Sequence, residues 1–280
     1  MSRRADLHMH TTASDGMFAP ADNVRMAKEA GLFAIAITDH DTVAGVEEAL
    51  RAGRELGVVV VPGVELSTVA SGKDIHVLAY GFDLDDGKWL SRLETLREGR
   101  NLRNERMLAN LGRLGMPISP EELAAAAGKS ERKDKSVGRP HIAQAMVDKG
   151  YVSDLREAFD RWLAEGKPAY ERQERATSLE AIGWIHEAGG QAVIAHPGIY
   201  GDDDLVLSLL DGGADGLEAY HSDHNPEQER RYAEWTAARG KLATGGSDFH
   251  GVKDGKVYHG AIGNRSVDAD ILDRLGVRTE

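Results

Sequence analysis

The sequence predicts an α/β protein built on a parallel sheet or barrel. Two observations carry this. Short apolar runs alternate with helical patterns on both sides of a helical middle region. Histidines and acids gather at the carboxyl ends of those runs, in DLHMH, ITDHD, GVELS, IAHPG and GGSDFH. In parallel α/β folds the carboxyl ends of the strands share one face, and that face carries the site.

Taken in order, ADLHMHT reads as the first strand. Pro20 opens the helix PADNVRMAKEAG, with Gly31 as its C-cap. LFAIAITDH is a continuous apolar run with a polar end, the pattern of a buried parallel strand. TVAGVEEALRAGRELG is the second helix, and VVVVPGVELS and DIHVLAYGFD are two more strands. From Trp89 to Glu174 the pattern is helical and charged. WLSRLETLREGRNLRNERMLANLGRLG reads as one long helix, with EELAAAAG, RPHIAQAMVDKG and DLREAFDRWLAEG as shorter ones. GKSERKDKSVG is a charged link, so Lys133 and Lys135 are expected in a solvated loop. Strand and helix then alternate again: helix SLEAIGWIHEAGG, strand QAVIAHPG, helix DLVLSLLDGGA, strand DGLEAYHS, helix PEQERRYAEWTAARG and strand LATGGSDFH. The expected organisation is a first part of the core over 1–88, a helical insert over 89–174 and a second part over 175–280.

Composition narrows the function. A chain of 280 residues is long enough for one large domain, or one with a small insert. No apolar run approaches the roughly 20 residues that span a bilayer, and MSRRADLH has no apolar region behind its basic residues. The absence of cysteine removes disulfides and thiolate metal sites, and the expected compartment is the cytoplasm. A net charge of -12 argues against a broad basic surface, so no long duplex nucleic acid is expected as a partner.

Parallel strands should bring His8, His10, Asp39, His40, Glu65, His196, Asp248 and His250 to one face, with His76 pointing into the same space. Side chains two apart on a strand share a face. His8 and His10 can therefore hold one ion while Met9 points into the wall. Imidazole with carboxylate suits zinc, iron or manganese, and a carboxylate-rich set leans towards manganese.

DLHMHTTASDG, ITDHDT, PGVELS, AHPG and GSDFH resemble, in this order, the signature segments of the PHP (polymerase and histidinol phosphatase) superfamily. RPHIAQAMV and KPAYERQERATSLEAIGWIHEAGG are similar to the subgroup that acts on nucleoside 3′,5′-bisphosphates and on the 5′ ends of short RNA. The resemblance implies a distorted (β/α)7 barrel with an inserted small helical domain, holding two to three divalent ions (Mn, Fe or Zn). By motif, one ion would take His8, His10, Glu65 and Asp248. A second would share Glu65 and add His76 and His196. A third would take Asp15, His40 and His250.

Such a centre suits phosphate ester hydrolysis. A bound ion lowers the pKa of water from about 15.7 to about 7, and paired ions stand about 3.5–4 Å apart. A hydroxide bridging two ions at Glu65 is the expected nucleophile, so His8, His10, Glu65 and Asp248 are expected to be catalytic through it. Three divalent ions outweigh the charges of Asp15, Glu65 and Asp248, leaving a positive pocket in an acidic protein. That favours a small phosphorylated substrate, with a nucleoside 3′,5′-bisphosphate first and 5′-phosphorylated short RNA second. Two other readings stand beside it: a histidinol-phosphate or sugar-phosphate phosphatase, and a metal-binding accessory domain without turnover.

Arg139 and His141 in VGRPHIA could reach the mouth and hold a phosphate, or could simply start a helix. His221 and His224 in AYHSDHNPEQ follow a strand and could bind substrate or protonate a leaving oxygen; the alternative is a polar loop. Asp41 is expected to cap the next helix. Asp39 reads equally as a cap or as a support for a ligand imidazole.

Overall fold

The computed structural model describes residues 3–128, 134–253 and 255–277. Lys133 lies outside them. Strands β1 (Arg4–Asp6), β2 (Ala34–Ile37) and β3 (Val59–Ala70) alternate with helices α1 (Pro20–Glu29) and α2 (Val46–Leu56). Strand β4 (Lys73–Tyr80) follows, and then the helical region: α3 (Gly87–Arg113), α4 (Pro120–Ala126), α5 (Arg139–Asp148), α6 (Leu155–Ala158) and a π-helical turn at Phe159–Leu163. Helix and strand alternate again through α7 (Ser178–Glu187), β5 (Gln191–Ile194), α8 (Asp203–Asp211), β6 (Gly216–His221), α9 (Pro226–Ala238) and β7 (Leu242–Gly246). The chain ends in a hairpin of β8 (Gly251–Lys253) and β9 (Lys256–Tyr258), then β10 (Val267–Asp268) and α10 (Ile271–Arg274).

Among the described residues eight strands form one sheet, in the order β10-β1-β2-β3-β4-β5-β6-β7. The sheet curls nearly shut. Leu7 donates its N–H to the carbonyl of Gly245 at 3.0 Å, and Asp248 donates to that of His8 at 2.8 Å. Gly246 permits this closure, because a Cβ there would stand 2.3 Å from the Cβ of His8.

Two strands depart from the parallel expectation. β4 runs antiparallel to β3 and β5, and β10 runs antiparallel to β1. VVVVPGVELS and DIHVLAYGFD are thus two arms of one hairpin, joined at Ser71 and Gly72, both with positive φ. A hairpin needs no crossover helix, and no helix separates them. Strand β1 is also shorter than ADLHMHT. His8 and His10 lie beyond it, where Met9 bridges to Phe249.

Small side chains fill the barrel interior: Ala5, Ala34, Ala36 and Ala195 pack with Leu7, Val61, Leu78 and Tyr80. Helix α3 starts in the barrel's own outer core. Asp86 caps it by accepting from the N–H groups of Lys88 and Trp89, and Trp89, Leu93 and Leu96 are buried there. From Met107 onward its apolar positions join a separate cluster with Ile118, Leu123, Ile142, Met146 and Leu163. The long helix therefore contributes to both the barrel's core and that of the helical region.

Candidate metal centre

The polar strand ends meet as the sequence predicts. Nε2 of His8 lies 3.2 Å from Nε2 of His10, 3.5 Å from Oε2 of Glu65 and 3.2 Å from Oδ1 of Asp248. Nε2 of His10 lies 3.2 Å from the same Glu65 and Asp248 oxygens. Metal–ligand bonds of about 2.0–2.2 Å in a tetrahedral set put neighbouring donors roughly 3.3–3.6 Å apart; the donors of His8, His10 and Glu65 all lie within 4.8 Å of one another, with Asp248 beside both histidines. Oδ1 of Asp248 is buried with no hydrogen-bond partner among the described residues. A buried carboxylate oxygen left without a donor calls for a cation.

The other oxygen of Glu65 faces a second pair. Oε1 lies 2.8 Å from Nδ1 of His76 and 3.0 Å from Nε2 of His196. A third group surrounds Asp15: His10 Nδ1 and His250 Nε2 each lie 3.5 Å from Oδ1, and His40 Nε2 lies 3.7 Å from Oδ2. His40 also turns Nδ1 to within 3.0 Å of Glu65 Oε2. His40, Glu65 and His76 form one group of mutually close donors and His10, Asp15, His40 and His250 another, with His196 beside Glu65; imidazole and carboxylate donors of this kind suit divalent ions.

Hydrogen bonds fix which nitrogens are free. Glu218 takes the Nδ1 proton of His8 at 3.0 and 3.1 Å, which leaves the Nε2 lone pair facing the cluster. His250 donates from Nδ1 to the carbonyl of Asp248 at 2.9 Å, with the same result. Thr11 and Ser14 donate to Asp39, which thereby anchors the loop carrying Asp15. Non-glycine positive φ angles at Asp41, His196, Asp248 and His259 add backbone strain around the site.

The electrostatics favour bound cations. Burial opposes charge on Asp15, Glu65 and Asp248, yet the surrounding imidazoles hold all three well below the usual carboxylate range. Burial also opposes a charge on His10, but Asp248, Glu65 and Asp15 lift its pKa to about 10. His40 is pushed down to about 3 and His196 to about 4, chiefly by burial, which keeps both rings neutral as metal ligands require.

A cavity of about 290 Å³ opens above the cluster. Asp15, His40, Glu65, His76, His196, Asp248 and His250 line it, and Arg139 joins them from the start of α5. The other expected substrate contacts sit differently. His141 accepts the Gly138 N–H at Nδ1 and closes the first turn of α5; it is not among the lining residues. His224 has both ring nitrogens on backbone, with Nδ1 donating to Ala219 and Nε2 accepting from Gly198. It is a packing residue, so the expectation of substrate contact is corrected. His221 accepts from Asp223 N–H at Nδ1, so its Nε2 carries the proton and points at Asp248 Oδ2, 3.4 Å away. Asp41 caps no helix: α2 begins at Val46, and the Asp41 carboxylate instead accepts from Ser67 N–H and Arg100.

Several residues at the site escaped the sequence reading. Glu218 sits inside the strand run GLEAYH, where it reads as an ordinary strand acid. A bulge at Ala219 shifts the register between Glu218 and Tyr220, so Glu218 and His221 both turn inward despite their odd spacing. Arg100 and Arg103 read as exposed charges on a long charged helix, yet both are buried and line the cavity with Arg175.

Fold and site together define a class: an α/β barrel whose mouth gathers imidazoles and carboxylates around one shared glutamate. The PHP domain family matches residues 6–168. A 5′-3′ exoribonuclease of Haemophilus influenzae is 35% identical over 255 residues, covering 89% of this chain and 91% of its own length. A 3′,5′-nucleoside bisphosphate phosphatase of Chromobacterium violaceum is 32% identical over 255 residues, covering 89% and 88%. A solved structure from Bifidobacterium adolescentis, provisionally assigned as a metal-dependent phosphoesterase, superimposes with a TM-score of 0.87 at 32% identity over 97% of this chain and 94% of its own. The chain belongs to the PHP family.

Proposed function

We propose that this chain is a hydrolase that cleaves phosphate esters of nucleotides at the Glu65 cluster. The observation that carries the reading is the division of Glu65 between two imidazole sets, with Oε2 towards His8 and His10 and Oε1 towards His76 and His196. His8, His10, Glu65 and Asp248 would hold one divalent ion, Glu65 with His76 and His196 a second, and Asp15, His40 and His250 a third. Manganese, iron or zinc suit these donors. Bound there, such ions activate water and neutralise phosphoryl oxygens.

The chain's own residues do the remaining work. Glu218 and the Asp248 carbonyl orient the rings of His8 and His250. His221 presents an Nε2–H beside Asp248, where it can hold the carboxylate in place. The helical region 89–174 lends Arg100, Arg103, Arg139 and Phe159 to the cavity wall, and we assign it the role of lid and specificity element. A cavity of about 290 Å³ suits one nucleotide and excludes a duplex. Relatives named as a bisphosphate phosphatase and as an exoribonuclease favour a nucleoside 3′,5′-bisphosphate first and 5′-phosphorylated short RNA second. Among the described residues no helix is long and apolar enough to cross a membrane, and the cysteine-free composition fits action in the cytoplasm.

The test is phosphate release from adenosine 3′,5′-bisphosphate with added Mn²⁺, run beside a short 5′-phosphorylated RNA, histidinol phosphate and a sugar phosphate. Turnover of the bisphosphate or the RNA supports the reading. Turnover of only the other esters removes the nucleotide preference. Silence on all four with metal bound would make the chain a non-catalytic binding domain.

A further inference from the structure

We propose that residues 134–138, which lead from the charged link into α5, are a strap that positions the ligands of the third ion. The site at Asp15, His40 and His250 is then completed by the helical region, while the sites on either side of Glu65 are built by the barrel. The inference rests on the proposed third ion and adds to it what holds that ion's ligands in place.

Two hydrogen bonds bring the strap onto the barrel. Ser136 donates its backbone N–H to the carbonyl of Ala13 at 2.9 Å. The hydroxyl of Thr42 donates to the carbonyl of Asp134 at 2.8 Å. Ala13 stands two residues before Asp15, and Thr42 two residues after His40. The strap thus grips the loop after β1 and the loop after β2, each close to the residue that would bind the third ion.

The contact is buried. Ala13 and Thr42 are fully buried and Ser136 is 2% exposed. Backbone groups taken out of water need partners, and here the Ser136 N–H and the Ala13 carbonyl find each other across the boundary between helical region and barrel. The Ser136 hydroxyl has no hydrogen-bond partner among the described residues, so the grip on the first loop comes from the backbone. The helical region holds the strap from its other side. Asn104 of α3 donates from Nδ2 to the Val137 carbonyl at 2.8 Å, and Gly138 donates its N–H to Nδ1 of His141 at 3.0 Å. Arg97 of α3 adds a second hold on the His40 loop, donating from Nη1 to the Asp41 carbonyl at 2.9 Å.

The ligands around Glu65 have supports of their own. Glu218 holds the ring of His8 and the backbone of His196. Glu65 lies inside β3 and His76 inside β4. Losing a group that fixes a metal ligand costs about 10–100-fold in affinity, so releasing the strap should loosen one ion of the three. The coupling is reciprocal: an ion that binds more tightly when the strap is seated holds the strap seated by the same factor. Arg139 follows the strap directly and lines the cavity, so the strap joins the cavity wall to the third ion.

The test reads metal binding and does not depend on turnover. Mn²⁺ uptake by chelator-treated protein is followed by equilibrium dialysis for wild type, Thr42→Val, Thr42→Ser and Ser136→Pro. Thr42→Val removes the hydroxyl at nearly constant shape, Thr42→Ser keeps it, and Ser136→Pro removes the N–H. His250→Ala, which removes a proposed ligand, marks which equivalent is the third. The expected result is three equivalents in wild type, with the third weakened about tenfold or more in Thr42→Val and Ser136→Pro. The other two should be unchanged, and Thr42→Ser should restore the third. Circular dichroism checks folding, and the Thr42 pair decides if Ser136→Pro does not fold. Wild-type affinity for the third equivalent in the folded variants, or a loss shared by all three, overturns the strap. In wild type, hydrogen exchange at the Ser136 amide should slow about tenfold as the third equivalent binds and not with the first two; exchange indifferent to the third overturns the coupling. Two equivalents in wild type would remove the third ion and the strap's role with it, and would leave the Glu65 pair and the phosphoesterase reading standing.

Discussion

Glu218 grips His8 from behind: its two carboxylate oxygens lie 3.0 and 3.1 Å from Nδ1, on the far side of the ring from Glu65 and Asp248. The same carboxylate accepts the backbone N–H of His196 at 2.8 Å. One buried acid thereby orients a proposed ligand of each of two ions. Glu218→Gln should weaken metal binding by about tenfold or more. Competition against a chromogenic chelator measures this, and an unchanged affinity would remove Glu218 from the account.

His8→Ala and His10→Ala should each lower phosphate release by roughly a thousandfold, about 4 kcal/mol of transition-state stabilisation. Circular dichroism should remain native, because neither ring belongs to the apolar clusters. Retained activity in a folded variant would sink the proposed ligand set.

Gly246 stands where β7 meets the chain at His8. Gly246→Ala would drive a methyl group into His8 Cβ and the His8 backbone. The expected cost is about 1–3 kcal/mol in a denaturant titration, together with loss of metal affinity as His8 is displaced. Wild-type stability and affinity would show that the barrel closes more loosely here.

His141 gives a pH signature. Burial holds its pKa down at about 4, against 6.5 for a free ring. Below pH 6.5 the unfolded chain takes up a proton that the folded one refuses. Stability present above pH 6.5 is therefore lost as pH falls towards 4, by roughly 3 kcal/mol at 1.36 kcal/mol per unit. His141→Gln keeps an acceptor for the Gly138 N–H and lacks this loss. Its stability relative to wild type should improve across that window, measured by denaturation of chelator-treated protein. A constant difference would contradict the buried neutral ring.

The cluster itself was legible because its residues end apolar runs, where residue type and position coincide. His8, His10, His40, Glu65, His196, Asp248 and His250 all follow that rule. His76 was placed correctly although its strand direction was not, because the hairpin turn at Ser71 and Gly72 brings it opposite Ser67. What stayed hidden depends on long-range packing. The bulge at Ala219 reverses the facing of a strand without changing its composition. Arg100 and Arg103 are distinguishable from surface charges on α3 only once the barrel covers them. His224 shows the converse: a histidine in a promising position, both nitrogens of which the backbone occupies.

The most direct test of the central claim is anomalous diffraction from crystals soaked in Mn²⁺, collected at an energy where manganese scatters anomalously. The account predicts peaks on both sides of the Glu65 carboxylate, one among His8, His10 and Asp248 and one beside His76 and His196. Full soaking with no peak at Glu65, or peaks only at surface carboxylates, would contradict it.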